Sequence, residues 1–98
     1  PAELGIVRAD VESLLGKDPA HNADVARSVL AGEVGPVRDI VLLNAAAGLT
    51  SWELSRDADL VQEPIVDRLA AQFERAANAI DSGAAEAKLQ EWIAATHR

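Results

Sequence analysis

Few residues in this chain are of the types that do chemistry. His21 and His97 are the only histidines, and cysteine is absent. A transition-metal centre needs several such ligands at short spacing, and neither histidine has a second ligand placed that way. Asp81-Ser82 sets a carboxylate beside a hydroxyl, but a serine between Asp81 and Gly83 is better explained as a helix break and cap than as an activated nucleophile. The turn Gly32-Glu33-Val34-Gly35 ahead of a helix invites an anion, because helix N-termini offer free N–H groups. Against it, Glu33 is negative, Pro36 has no N–H, and no lysine follows as in a phosphate-binding loop. Arg38 and Asp39 could form a local pair, and exposed pairs of this kind are worth little. Asn44 is the only polar side chain from Ile40 to Leu49. It reads as a buried amide with structural partners, since an orphaned one costs about 1–3 kcal/mol; the alternative is a ligand contact. No catalytic, substrate-binding or metal residue is assigned on these grounds.

The element that would hold these positions is the stretch from Gly35 to Leu49. Pro36 suits the first position of a helix and Gly48 the position just past its end. A helix apolar on every side is expected to be surrounded by other elements, as the buried centre of the fold. The apolar run is far shorter than the roughly 18 residues of a membrane span. Before it, Pro1 to Val7 has no helical period and reads as a connection with Ile6 and Val7 turned inward. Asp10 is expected to cap a short turn, Val11 to Leu15, that Gly16 stops. Asp18 as N-cap and Pro19 at the first helical position then open a helix to Ala31, with Val25, Ala26, Val29 and Leu30 inward and Asp24, Arg27 and Ser28 outward.

After Gly48 the pattern loosens from Thr50 to Gln62, with the helix resuming at most for a turn or two through Leu54. Glu63-Pro64 starts a helix in which Ile65, Val66, Leu69, Phe73, Ala76, Ala77 and Ile80 keep a 3.6-residue period. Asp81-Ser82-Gly83 breaks it, and a last helix from about Ala84 to Thr96 turns Ala85, Leu89, Trp92 and Ile93 inward. No stretch alternates as a strand. The fold class is therefore mainly α, about four helices around an apolar central helix, in one segment over 1–98 with no internal boundary.

Composition narrows the function classes. A chain of 98 residues is one domain or a piece of one. With 49% hydrophobic and 26% charged residues it is not a disordered acidic tail. The net charge of -7 argues against nucleic acid as a partner, since phosphate contacts need clustered Lys and Arg. Neither a signal peptide nor a membrane span is recognisable, so a cytoplasmic location is expected. The chain begins at Pro1 and has no methionine, which fits either removal of a start methionine or a piece of a longer chain.

Several stretches together resemble one family. Gly16-Lys17-Asp18-Pro19-Ala20-His21-Asn22-Ala23, Val29-Leu30-Ala31-Gly32-Glu33, Gly35-Pro36-Val37-Arg38-Asp39 running into Leu42-Leu43-Asn44-Ala45-Ala46-Ala47, and Ala79-Ile80-Asp81-Ser82-Gly83-Ala84-Ala85 with Leu89 are similar to the carboxy-terminal part of the anthranilate phosphoribosyltransferases. Pro1-Ala2-Glu3-Leu4-Gly5 resembles the loop that opens this region. The stretch from about Thr50 to Asp67 departs from the pattern and looks longer than the usual connection.

The resemblance implies an enzyme that moves a phosphoribosyl group from phosphoribosyl diphosphate to the amino nitrogen of anthranilate, in tryptophan biosynthesis. It implies magnesium, a homodimer, and a small helical domain beside a large α/β domain of the nucleoside-phosphorylase/phosphoribosyltransferase type. The family's glycine-rich diphosphate loop, Lys-His-Gly-Asn segment, anthranilate-contacting Asn and Arg and acidic metal pair all precede the matched region. No catalytic, substrate or Mg2+ residue is therefore carried over, and the metal is expected outside this segment. The implied partner is the remainder of the α/β domain, with this segment an inactive supporting layer. The rival expectation is a free-standing acidic helical interaction module, which would cover its central helix within the chain. A layer of a larger domain would instead leave an apolar patch of roughly several hundred Å² exposed.

Overall fold

The computed structural model describes residues 2–97; the expectation for Pro1 lies outside them. The described residues form four α-helices and three 3₁₀ turns, with no strand. A 3₁₀ turn over Ala2–Leu4 and another over Val11–Leu14 interrupt an otherwise irregular opening segment. Asp10 precedes the second turn without capping it through its carboxylate; the turn is closed by the Ser13 N–H donating to the Asp10 carbonyl at 3.1 Å.

Helix α1, Pro19–Leu30, starts as its sequence dictates: the Asp18 carboxylate accepts the His21 N–H at 2.8 Å, and Pro19 fills the first turn, where no N–H is required. Gly32, at φ 99°, then reverses the chain. Helix α2 runs from Pro36 to Arg56, straight through Gly48. This corrects the expectation that Gly48 ends it. A glycine inside a helix costs about 1 kcal/mol, and the turns beyond it offset that loss. Leu49 packs on the core. Thr50 is buried, its hydroxyl donating to the Ala46 carbonyl at 2.8 Å. The Asp57 carboxylate accepts the Asp59 N–H at 3.1 Å and opens a 3₁₀ turn, Ala58–Gln62. Helix α3, Ile65–Asp81, follows Pro64, and Gly83 at φ 84° hinges it to helix α4, Ala84–Thr96.

The core is small. Val29, Leu42, Ala76 and Ile80 are buried together, with Val37, Leu49, Phe73, Ala77 and Ala85 against them, so α2 and α3 are the principal packed pair and α1 and α4 lean on it. Only one face of α2 is covered: Arg38, Leu42, Ala46 and Thr50. Ile40 and Val41 are 41% and 43% exposed, and Asn44, Ala47, Gly48 and Ser51 are exposed too. The central helix is therefore not surrounded within this chain, contrary to expectation. Exposure also overturns the inward placement of Val7, Ala26, Trp92 and Ile93, and Ile65 and Val66 at the start of the α3 apolar period are exposed as well, whereas Ile6 is half-buried as expected.

The physical reason is the lack of a further layer. The chain measures 44 × 37 × 20 Å, and its thinnest dimension holds only about two helices of 10–12 Å diameter. Its radius of gyration is 15.2 Å, against about 13 Å for a compact domain of this length. Its accessible surface is 7180 Å², where a compact monomer of this mass would expose about 5,400 Å².

Candidate functional site

Arg38 lies in the first turn of α2, and Asp81 is the last residue of α3. Each charge stands at the helix end that disfavours its sign, a cation at an N-terminus and an anion at a C-terminus. The fold resolves both at once. Arg38 is buried and turns away from Asp39; its Nη1 and Nη2 donate to Asp81 Oδ1 and Oδ2 at 2.8 and 3.0 Å. Such a two-pronged contact fixes direction as well as distance. The guanidinium hydrogen bonds, reinforced by its charge, hold the Asp81 carboxyl below the usual carboxylate range, partial desolvation opposing them. Gly32 sits beside the pair: a Cβ there would meet Asp81 Oδ1 at 3.5 Å. The local Arg38–Asp39 pair is thus replaced by a bond between helices.

The turn before α2 borders a shallow groove of about 360 Å³ whose lining includes His21, Asp24, Ser28, Glu33, Gly35 and Arg38. Part of its donor set is committed or missing. The Asp39 N–H donates to the Gly35 carbonyl at 3.1 Å, Pro36 has no N–H, and the Arg38 guanidinium is held by Asp81. With Asp24 and Glu33 on its walls, the groove presents no free cation for a phosphate.

At the far end of α2, Trp52 stacks under the Arg56 guanidinium, 4.9 Å from the ring centroid, with Arg75 of α3 at 6.0 Å. Arg75 Nη1 also bonds Glu53 Oε1 at 3.1 Å. A neighbouring groove of about 480 Å³ carries the carboxylates of Glu53, Glu63 and Asp67 against the single cation Arg68. That balance suits neither a diphosphate nor an acidic substrate. Among the described residues no group of three or more His, Asp or Glu could hold a metal ion.

The remaining candidates play structural parts. The His97 ring lies at 2.9 Å from the Ile93 carbonyl at the end of α4. Ser82 Oγ donates to the Ala79 carbonyl and accepts the Ala84 N–H, both at 3.4 Å, a loose link between helices. Asn44 is exposed and its amide makes no hydrogen bond among the described residues, so the expectation of a buried, paired amide does not hold within this chain. Sequence reasoning missed a different amide. Asn22 Oδ1 accepts the Lys17 N–H at 2.9 Å and its Nδ2 donates to the Lys17 carbonyl at 3.3 Å, clamping the loop before α1. Four residues past the Asp18 cap, on the first turn, it was placed to fold back in this way.

No helix among the described residues is long and apolar enough to cross a membrane. The anthranilate phosphoribosyltransferase of Leifsonia xyli subsp. xyli (strain CTCB07) is 64% identical to the chain over 96 residues, covering 98% of this chain and 28% of that protein. The protein of the same name from Clavibacter michiganensis subsp. michiganensis (strain NCPPB 382) is 57% identical over 96 residues, 98% of this chain and 27% of its own length. That of Thermobifida fusca (strain YX) is 52% identical over 93 residues, 95% of this chain and 25% of its own length. The chain thus spans only about a quarter of the curated relatives it matches. No solved structure matches it. The family model described as the a/b domain of the glycosyl transferase family matches residues 1–86, and with most of its length so matched this chain belongs to that family.

Proposed function

We propose that this chain is the carboxy-terminal helical layer of an anthranilate phosphoribosyltransferase, supporting a catalytic site built elsewhere in the same protein. The intact enzyme transfers a phosphoribosyl group from phosphoribosyl diphosphate to the amino nitrogen of anthranilate, in the cytoplasm and as a homodimer. The observation that carries the reading is the 64% identity to the Leifsonia xyli protein over nearly the whole chain. The side-chain chemistry agrees with a supporting role. A ligand carrying a diphosphate and a 5-phosphate needs convergent N–H groups and free cations, and the buried guanidinium of this segment is engaged by Asp81. Among the described residues no three or more His, Asp or Glu are grouped as metal ligands, and the magnesium that the resemblance implies is expected on carboxylates beside the substrate's phosphates. The ion's ligands belong to the remainder of the protein.

The test is a chimera. Replacing the matching 96 residues of the Leifsonia xyli enzyme with this chain should give a protein that converts anthranilate in the presence of phosphoribosyl diphosphate and magnesium. The 98-residue chain by itself should neither catalyse the reaction nor give a saturable micromolar isotherm with that ligand, which would require about 8 kcal/mol of net binding energy. A folded but inactive chimera, or binding by the isolated chain, overturns the proposal.

A further inference from the structure

We propose that Gly83 is a two-position hinge. Turned from left-handed to right-handed backbone, it joins α3 and α4 into one helix, and α4 then exchanges with α4 of a second copy of this chain. The proposal concerns the 98-residue chain itself and stands apart from the reading of the intact enzyme.

The break between the two helices is one residue wide. Asp81 closes α3, and Ser82 keeps right-handed helical backbone at φ -78°, ψ -11°. Gly83, at φ 84°, ψ 0°, is left-handed, and α4 starts at Ala84. The corner is loosely bonded, since both hydrogen bonds of the Ser82 hydroxyl measure 3.4 Å. The residues after it, Ala84-Ala85-Glu86-Ala87-Lys88-Leu89-Gln90-Glu91, are all strong helix formers. The first N–H groups of α4 lack a carbonyl one turn back, as at any helix start. A right-handed Gly83 would give the Ala85 and Glu86 N–H groups the carbonyls of Asp81 and Ser82. The helix would then run over residues 65–96, about 48 Å, longer than the 44 Å of the closed molecule's longest dimension.

Little holds α4 in its closed place. It touches α1 and α3, but none of its residues is buried and Ala85 alone joins the core. Straightening also changes where its apolar stripe points. The α3 stripe ends on Ile80 and the α4 stripe opens on Ala85, five residues later, which is about 140° around a continuous helix. Ala85, Leu89, Trp92 and Ile93 would then face away from the chain's own core, and Trp92 and Ile93 are exposed already. The occupant is a second copy, because that copy, straightened likewise, leaves on its own α1 and α3 the place that this α4 fits. Exchange of an identical element between copies is a low-cost route to a dimer, since each α4 recovers the contacts it gave up.

The experiment uses Gly83→Ala. A Cβ at Gly83 meets no atom within 4 Å, so the closed corner has room for the methyl group and alanine acts through backbone preference. It disfavours the left-handed corner and favours a helix interior. Size-exclusion chromatography with light scattering should find Gly83→Ala dimeric. Gly83→Asn, which tolerates the left-handed backbone, should stay monomeric. The runs use about 0.5 M NaCl to screen repulsion between chains that each carry a net charge of -7. In the dimer the Ala85 and Glu86 amides should exchange with deuterium at least about tenfold more slowly than in the parent chain, having become interior to a helix. A folded, monomeric Gly83→Ala overturns the proposal. So does a dimer whose Ala85 and Glu86 amides stay unprotected, which is association by surface faces alone. If Gly83→Ala does not fold, the parent chain decides. At about 1 mM, the order of the effective concentration that a short tether supplies, it should form a dimer with the same two amides protected, and a parent chain monomeric at that concentration overturns the proposal.

Discussion

A guanidinium buried near the start of one helix and a carboxylate at the end of another are each poorly placed alone, and their pairing ties the two ends together. Because Arg38 holds the Asp81 carboxyl below its ordinary value of about 3.8, the contribution of the pair is fully present above that value. It is lost as the pH falls through the lowered folded one. Thermal melts from neutral pH down to about pH 2 should therefore show an acid loss that Asp81→Asn lessens, the variant starting lower at neutral pH. Parallel curves for the two proteins would contradict the pair's role. This contact was not legible in the sequence: 43 positions separate its members, and Arg38 has a nearer carboxylate in Asp39. The Asp18 cap was legible because its partner lies three residues away in the same turn. Asn44 was legible only as a polar interruption. Whether such an amide is covered depends on what packs over the helix, which its neighbours in sequence do not encode.

Two glycines separate the elements that local chemistry determines from those it does not. Gly83 needs a left-handed backbone at φ 84°, whereas Gly48 is an ordinary helical residue within α2. Gly83→Val should lower the stability more than Gly83→Asn, since β-branched residues tolerate positive φ poorly. Gly48→Ala should raise the stability of this chain by about 0.5–1 kcal/mol through backbone entropy. Urea unfolding of the three variants measures both effects, and a stabilised Gly83→Val or a destabilised Gly48→Ala would contradict them. A glycine after an apolar run reads as a stop, and in this helix the buried Thr50 and half-buried Leu54 carry α2 on to Arg56. The boundaries of α1 and α4 were readable because a cap, a proline or a left-handed glycine marks each start.

Across the whole molecule, stability is concentrated where α2 and α3 meet. Leu42 is 2% exposed, and Leu42→Ala should cost about 2–5 kcal/mol, enough to unfold a chain with so small a core; a melting temperature within a few degrees of the parent's would refute this. The helical periods of α2 and α4 were legible in the sequence, but the exposure of their faces was not, because a period shows which side seeks cover and not whether the cover is in the same chain. Helix α4 draws the sharpest consequence from that distinction. It has no buried residue, and only Ala85 of it joins the core, while Trp92 is 67% exposed. A helix held so lightly opens without the rest of the molecule. In deuterium exchange its amides beyond Leu89 should therefore take up label through local fraying, at a rate that denaturant barely changes. Those around Leu42 and Ala46 should wait for global unfolding, so that one short chain carries two clocks.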